Sequence, residues 1–264
     1  MARHSDSEEV LSCGSLERMH PSLEITGHRP WPLPRGPWVM AQSWHDLLFA
    51  HWAVPVEALR PLVPQALALD LRDGKAWVGV VPFWMSGVRA RGTPGIPGLS
   101  TFPELNVRTY VTFGSKPGVY FFSLDAASRS AVKTARALYR LPYFHARMDV
   151  RTTNDDVEYE SSRDGASAEF RARYGPMGPV RIREKGTLEH WLTERYCLYT
   201  VHRGAVYSGE IHHQPWPLQD ASAEIELNTV ASADGIVLPD SEPLLHFARR
   251  LDVILWPIHK LTDR

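Results

Sequence analysis

The chain has 264 residues, 44% of them hydrophobic and 22% charged, which is enough apolar material for a sizeable core. Its 29 Lys+Arg against 30 Asp+Glu leave a formal net charge of −1, so no basic field exists to recruit nucleic acid or an anionic membrane surface. Two cysteines, Cys13 in a polar stretch and Cys197 in an apolar run, make no disulfide framework and suit a reducing cytoplasm. No run approaches the ~18 apolar residues that span a bilayer. The charged start, MARHSDSEEV, lacks the apolar centre of a signal peptide. Abundant aromatics and 21 prolines favour many short strands with defined turns over a helical bundle.

Residues 1–28 are polar and aperiodic and read as a mobile tail ahead of a single domain over 29–264. His28 to Pro37 is a stiff proline-rich lead-in that Trp31 and Trp38 pin to the body. Val39 to Ala53 predicts a strand. Within it, His51 beside Trp52 either lines a pocket or is a half-buried histidine satisfied by the backbone. Pro55 opens a short helix, since its missing N–H is harmless there. Ala66 to Met85 predicts a hairpin turning at Asp73-Gly74. The Gly/Pro-rich loop Gly87 to Phe102 is either a lid or a plain surface connection. Pro103 to Asp125 predicts two strands joined at Gly114 to Gly118. Ser128 to Leu141 has apolar residues at helical spacing, and Pro142 ends it. Tyr143 to Val150 returns as a strand. Arg151 to Tyr174 predicts an outer hairpin turning at Asp164-Gly165, Gly175 to Gly186 a loop, and Leu188 to Arg195 a short helix capped by Thr187. A hairpin about His202-Arg203-Gly204 and a closing strand, Leu244 to Ile258, complete the reading.

The strand from Pro103 carries the chemistry. Side chains alternate between faces, so Glu104, Asn106, Arg108 and Tyr110 share one side. Its partner, Val119 to Asp125, is apolar on both faces, as buried strands are. If the pair is central, the polar row faces an enclosed space. Burial would raise the Glu104 pKa and suit it to proton transfer, and Arg108 could hold a carboxylate in a bidentate grip. Glu104 and His145 are the catalytic candidates. Arg108, Asn106, Tyr143, Asp125, Trp84, Phe122 and His51 are the ligand-binding ones. The competing reading is structural: an internal Glu104–Arg108 ion pair that fixes strand register and binds nothing. His212 and His213 are adjacent and face opposite ways in a strand, so no metal site is expected, and no cofactor motif occurs.

The runs PELNVRTYV, GVYFFSLDA and LYRLPYFHARM resemble the YqjF-like domain of unknown function, which is assigned to the acetoacetate-decarboxylase-like superfamily. SWHDLLFAHWAVPVEALRPLVP and LTERYCLY extend the likeness from about Trp38 to Trp256. The resemblance implies an α+β, mainly β fold: an antiparallel, cone-like closed barrel with an additional sheet and a few helices. It also implies an interior site. The decarboxylases use a lysine of depressed pKa to form a Schiff base, placed after a Tyr-Pro that follows the helix. The matching stretch here, Leu141-Pro142-Tyr143-Phe144-His145, has none, and Lys116 and Lys133 fall in a turn and in the helix. What carries over is the pocket and the acid, Glu104. The expectation is a small-molecule-binding barrel for an anionic or carbonyl-bearing compound, with lyase or proton-transfer chemistry that uses no Schiff base. The alternatives are a non-catalytic ligand-binding or sensing module and a structural or oligomer subunit. No nucleic-acid or membrane partner is expected, and a homo-oligomer is compatible with the sequence.

Overall fold

The computed structural model describes residues 20–96 and 100–261. In chain order they form β1 (Met40–Val54), α1 (Val56–Leu59), β2 (Ala68–Leu69), β3 (Ala76–Ala90), β4 (Phe102–Phe113), β5 (Lys116–Ala126), α2 (Arg129–Tyr139), β6 (Tyr143–Thr153), β7 (Asp156–Arg163), β8 (Glu169–Arg181), α3 (Leu188–Thr193), β9 (Cys197–His202), β10 (Ala205–His213), β11 (Leu218–Asn228), α4 (Val230–Ala233), β12 (Leu244–Leu255) and β13 (His259–Lys260). The fold is mainly β. None of the described helices is long and apolar enough to cross a membrane.

The pairing closes on itself twice. One ring runs β5–β6–β7–β8–β11–β12–β1–β3–β4 and back to β5. The other leaves β5 for β9 and β10 and rejoins at β12. Strands β12, β1, β3, β4 and β5 belong to both rings, so they form a wall with an apolar filling on each side. Leu105 and Val107 face one filling, together with Tyr159, Phe170 and Phe247. Val81 and Phe83 face the other, with Leu47, Leu198 and Leu255. This explains why β5 is apolar on both faces: each face packs against an apolar filling, and no β5 side chain is exposed.

Most neighbours are antiparallel, but β5 runs parallel to β6 and to β9, against the expectation of an all-antiparallel arrangement. The reason is α2. A helix between two strands carries the chain back to the starting end, so the next strand pairs in parallel. Ser128 caps α2 by accepting from the Ala131 amide at 3.3 Å, and Arg140 ends it in the left-handed region at φ 56°.

Two other expectations change. Residues 20–28 are docked and do not belong to a mobile tail: Ser22 is buried, and the His28 ring bonds the His213 carbonyl at 2.8 Å. Residues 1–19 and Cys13 lie outside the described residues. The stretch from Gly175 stays in β8 as far as Arg181 because β11, a strand the sequence reading passed over, pairs with it. In the loop after β3, Pro97 and Gly98 also lie outside the described residues.

Candidate functional site

Inside the second ring lies a cavity of about 90 Å³. Its walls come from β1 (Gln42, Trp44, Leu47), β3 (Val81, Phe83), β5 (Val119, Phe121, Leu124) and the strands beyond them. Into this apolar box β4 presents Glu104, Asn106 and Arg108, as its alternation predicts, and Tyr143 arrives from the start of β6. Thr193 and Arg195 enter after α3, and His213 and Trp216 after β10.

Two β-bulges shape the box. Along β1, Trp44 and Leu47 both face in, because Asp46 sits at φ 49° and β1 has one more residue between His45 and Ala50 than β3 has between their partners, Trp84 and Val80. Asp46 is held by Arg249 at 2.6 Å and by Trp84 and Thr152, both at 3.1 Å. Along β5, Arg108 pairs with Phe121 and Val107 with Ser123, so Phe122 is the extra residue. Beyond it the phase reverses, and Leu124 joins Val119 and Phe121 on the cavity side.

These bulges decide which sequence candidates meet. Glu104, Asn106, Arg108 and Tyr143 come together. Asp125 does not: the phase reversal turns it to the opposite face, where Arg163 donates to it at 2.7 Å. Phe122, expected as a wall, packs with Tyr120 in the first ring. Trp84, also expected as a wall, stacks on His45 at 4.0 Å while Phe83 takes the inward position. His145 is in register with Ala126, beyond the cavity's end, and its ring bonds Asp164 of the β7–β8 turn at 2.8 Å. His51 is fully buried behind Arg108, and its partner is the Tyr110 hydroxyl at 2.6 Å and not the backbone. The described residues of the loop after β3 take no part in the lining. Sequence reasoning missed Trp44, Trp216, His213 and Arg195. Two runs quoted for their likeness, SWHDLLFAHWAVPVEALRPLVP and LTERYCLY, contain Trp44 and Arg195 and were the available signals.

Glu104 is 3% exposed and accepts from the Tyr143 hydroxyl at 2.7 Å. Burial pushes its pKa up to about 8, although hydrogen bonds from Tyr143 and Asn106 pull the other way. The acid is therefore neutral at pH 7. No Glu104–Arg108 ion pair forms, which removes the register-pin reading in that form. Arg108 has no carboxylate partner among the described residues; its guanidinium lies 5.3 Å from the Phe49 ring centre, and Nη2 reaches the Tyr110 hydroxyl at 3.5 Å. Arg195 is neutralised by Asp70 at 2.6 Å. Four donors on lining side chains have no partner: Trp44 Nε1, Arg108 Nε, Arg195 Nη2 and Trp216 Nε1. Against them stands one acceptor, Asn106 Oδ1. An enclosed space so rich in donors and carrying one uncompensated cation suits an acceptor-rich anion.

The fold is similar to that of acetoacetate-decarboxylase-like proteins. An acetoacetate decarboxylase from Legionella pneumophila superposes with a TM-score of 0.60 at 13% identity, covering 94% of this chain and 98% of that one. The enduracididine biosynthesis enzyme MppR superposes with a TM-score of 0.62 at 12% identity, covering 86% and 89%; it also occurs complexed with pyruvate. At such identities the likeness is one of fold. The chain itself belongs to the DUF2071 family of uncharacterized conserved proteins, matched over residues 41–252. It is 52% identical over 229 residues to the uncharacterized protein YqjF of Bacillus subtilis (strain 168), covering 86% of this chain and 95% of that protein.

Proposed function

We propose that the cavity binds a small carboxylate, with Arg108 as the clamp and Glu104 as a proton donor or acceptor beside it. The observation that carries this reading is Arg108: a partly buried guanidinium lining a largely apolar cavity, with no acid among the described residues to neutralise it. The cavity volume is well below the ~300–1,000 Å³ of sites for drug-sized ligands, so the ligand has only a few non-hydrogen atoms. A fold neighbour complexed with pyruvate supports that size class. Tyr143 orients the Glu104 carboxyl, and the Trp44 and Trp216 indoles offer neutral donors to a carbonyl oxygen. None of the lining residues is a lysine, so the reading is lyase or proton-transfer chemistry without a Schiff base.

Titration calorimetry with acetate, propionate and butyrate tests it. Arg108→Met should weaken binding at least about tenfold, the loss expected for one charge-assisted contact. A folded Arg108→Met protein with wild-type affinity for every acid would remove the clamp and the reading with it.

A further inference from the structure

The cavity's unpartnered atoms distinguish one kind of acid from another; this step rests on the reading above, that Arg108 takes the carboxylate. Arg195 is 6% exposed and fixed on three sides. Its Nε donates to the Trp191 carbonyl at 2.7 Å, its Nη1 to Asp70 at 2.6 Å, and its plane lies 4.4 Å from the Trp191 ring centre and 4.9 Å from that of Tyr110. Nη2 alone is unpartnered. Because Asp70 cancels its charge, Arg195 offers the cavity a directed donor and little net field. Arg108 and Arg195 line the same cavity, their Cζ atoms 5.8 Å and 4.9 Å from the Tyr110 ring centre. Asn106 supplies the complement. Its side chain sits beside the Glu104 carboxyl and favours the charged form, and its Oδ1 is a buried acceptor without a donor.

A plain alkanoic acid held on Arg108 answers neither orphan. An oxo group accepts from Arg195 but has no proton for Asn106. An ammonium group donates to Asn106 but would face a guanidinium. A hydroxyl does both at once. We propose that the cavity is selective for a short-chain hydroxy acid: the carboxylate sits on Arg108, and the hydroxyl oxygen accepts from Arg195 Nη2 while its proton goes to Asn106 Oδ1. Arg195 is then the residue that sets specificity.

The test compares affinities within matched sets: lactate against pyruvate and propionate, and 3-hydroxybutyrate against butyrate. In wild-type protein one hydroxy acid should bind at least about tenfold more tightly than its unsubstituted partner. Arg195→Lys keeps the pairing with Asp70 but has no second nitrogen to offer, so it should abolish that ratio, with hydroxy-acid affinity falling further than propionate affinity. Asn106→Leu should also abolish it, and provides a second route if the lysine variant is unstable. Equal wild-type binding of hydroxy and unsubstituted acids, or a ratio preserved in both variants, overturns this inference and leaves the carboxylate site standing. Failure of every acid to bind wild-type protein overturns the carboxylate site itself.

Discussion

Glu104 shows how one residue takes its character from its surroundings. A carboxyl in water ionises near pH 4; enclosed by Phe83, Leu124 and Trp216, it holds its proton to about pH 8. Ionising it would place a negative charge beside a bound anion. Carboxylate affinity should therefore hold up to about pH 7 and decline above pH 8, and Glu104→Gln should flatten that decline. Calorimetry from pH 6 to 9.5 checks this, and an unchanged decline in the variant would mean another group is responsible. Asp125 makes the contrasting case. Burial raises it to about 6 even with Arg163 alongside. Arg163 also reaches Asp234 at 3.3 Å, so one cation serves two buried acids. Removing it strands both. Arg163→Met should cost about 3–5 kcal/mol in urea unfolding, with part of the loss recovered by adding Asp125→Asn; a loss under about 1 kcal/mol would show that water has replaced the guanidinium.

At the scale of elements, what could be read from sequence was periodicity. The row Glu104, Asn106, Arg108 needs only the two-residue repeat of a strand, and it faces inward as that repeat demands. The α2 helix and the tight turn at Asp73-Gly74 were similarly visible, because a cap, a terminating proline and a turn pair are local signals; the expected hairpin was not formed, since Arg72 and Lys75 make only an isolated bridge and β2 pairs with β4 in place of β3. The bulges were not. An extra residue at Phe122 breaks the repeat on which the reading depended, so Leu124 and Asp125, beyond it, were assigned to the wrong faces although the strand itself was recognised. Arg195, Trp216 and Trp44 were invisible for another reason: strand pairings between distant stretches of chain bring them to the cavity, and no local pattern encodes those pairings. The Asp46 bulge has a measurable weight. Asp46→Ala removes the acceptor for Arg249, Trp84 and Thr152, and it puts an alanine in left-handed backbone, so a loss of at least about 2 kcal/mol is expected. Asp46→Asn tolerates that backbone and should lose less. Equal losses in the two variants would assign the effect to charge and not to backbone geometry. Gly118 has a comparable role where β5 meets β9. A Cβ there would lie 2.6 Å from the Cys197 carbonyl and 2.7 Å from the Tyr199 ring. Gly118→Ala should therefore loosen that parallel pairing, seen as faster amide exchange at Val119 and Tyr199; unchanged exchange would mean the strands can separate without loss.

Across the whole molecule, two rings sharing a wall concentrate burial on both faces of β4, and the polar row lies on one of them. The cost appears in how stability depends on pH. Glu104 is raised from 4.5 to about 8 in the folded state. Between those values the native protein keeps a proton that the unfolded chain has released. The native state thus binds more protons, and stability falls as pH rises through this window, by at most about 1.4 kcal/mol per pH unit from this group. Below about pH 4.5 both states hold the proton, and well above pH 8 neither does, so the slope vanishes at each end. Asp125, raised from 3.8 to about 6, adds a slope of the same sign at lower pH. Glu104→Gln removes only the first contribution. The stability of the variant relative to wild type should therefore climb steadily from pH 5 to pH 8 and then level off, as read from urea midpoints at each pH. Parallel curves over that range would mean that the carboxyl ionises at an ordinary pH, and the enclosed acid on which the proposed chemistry depends would then be absent.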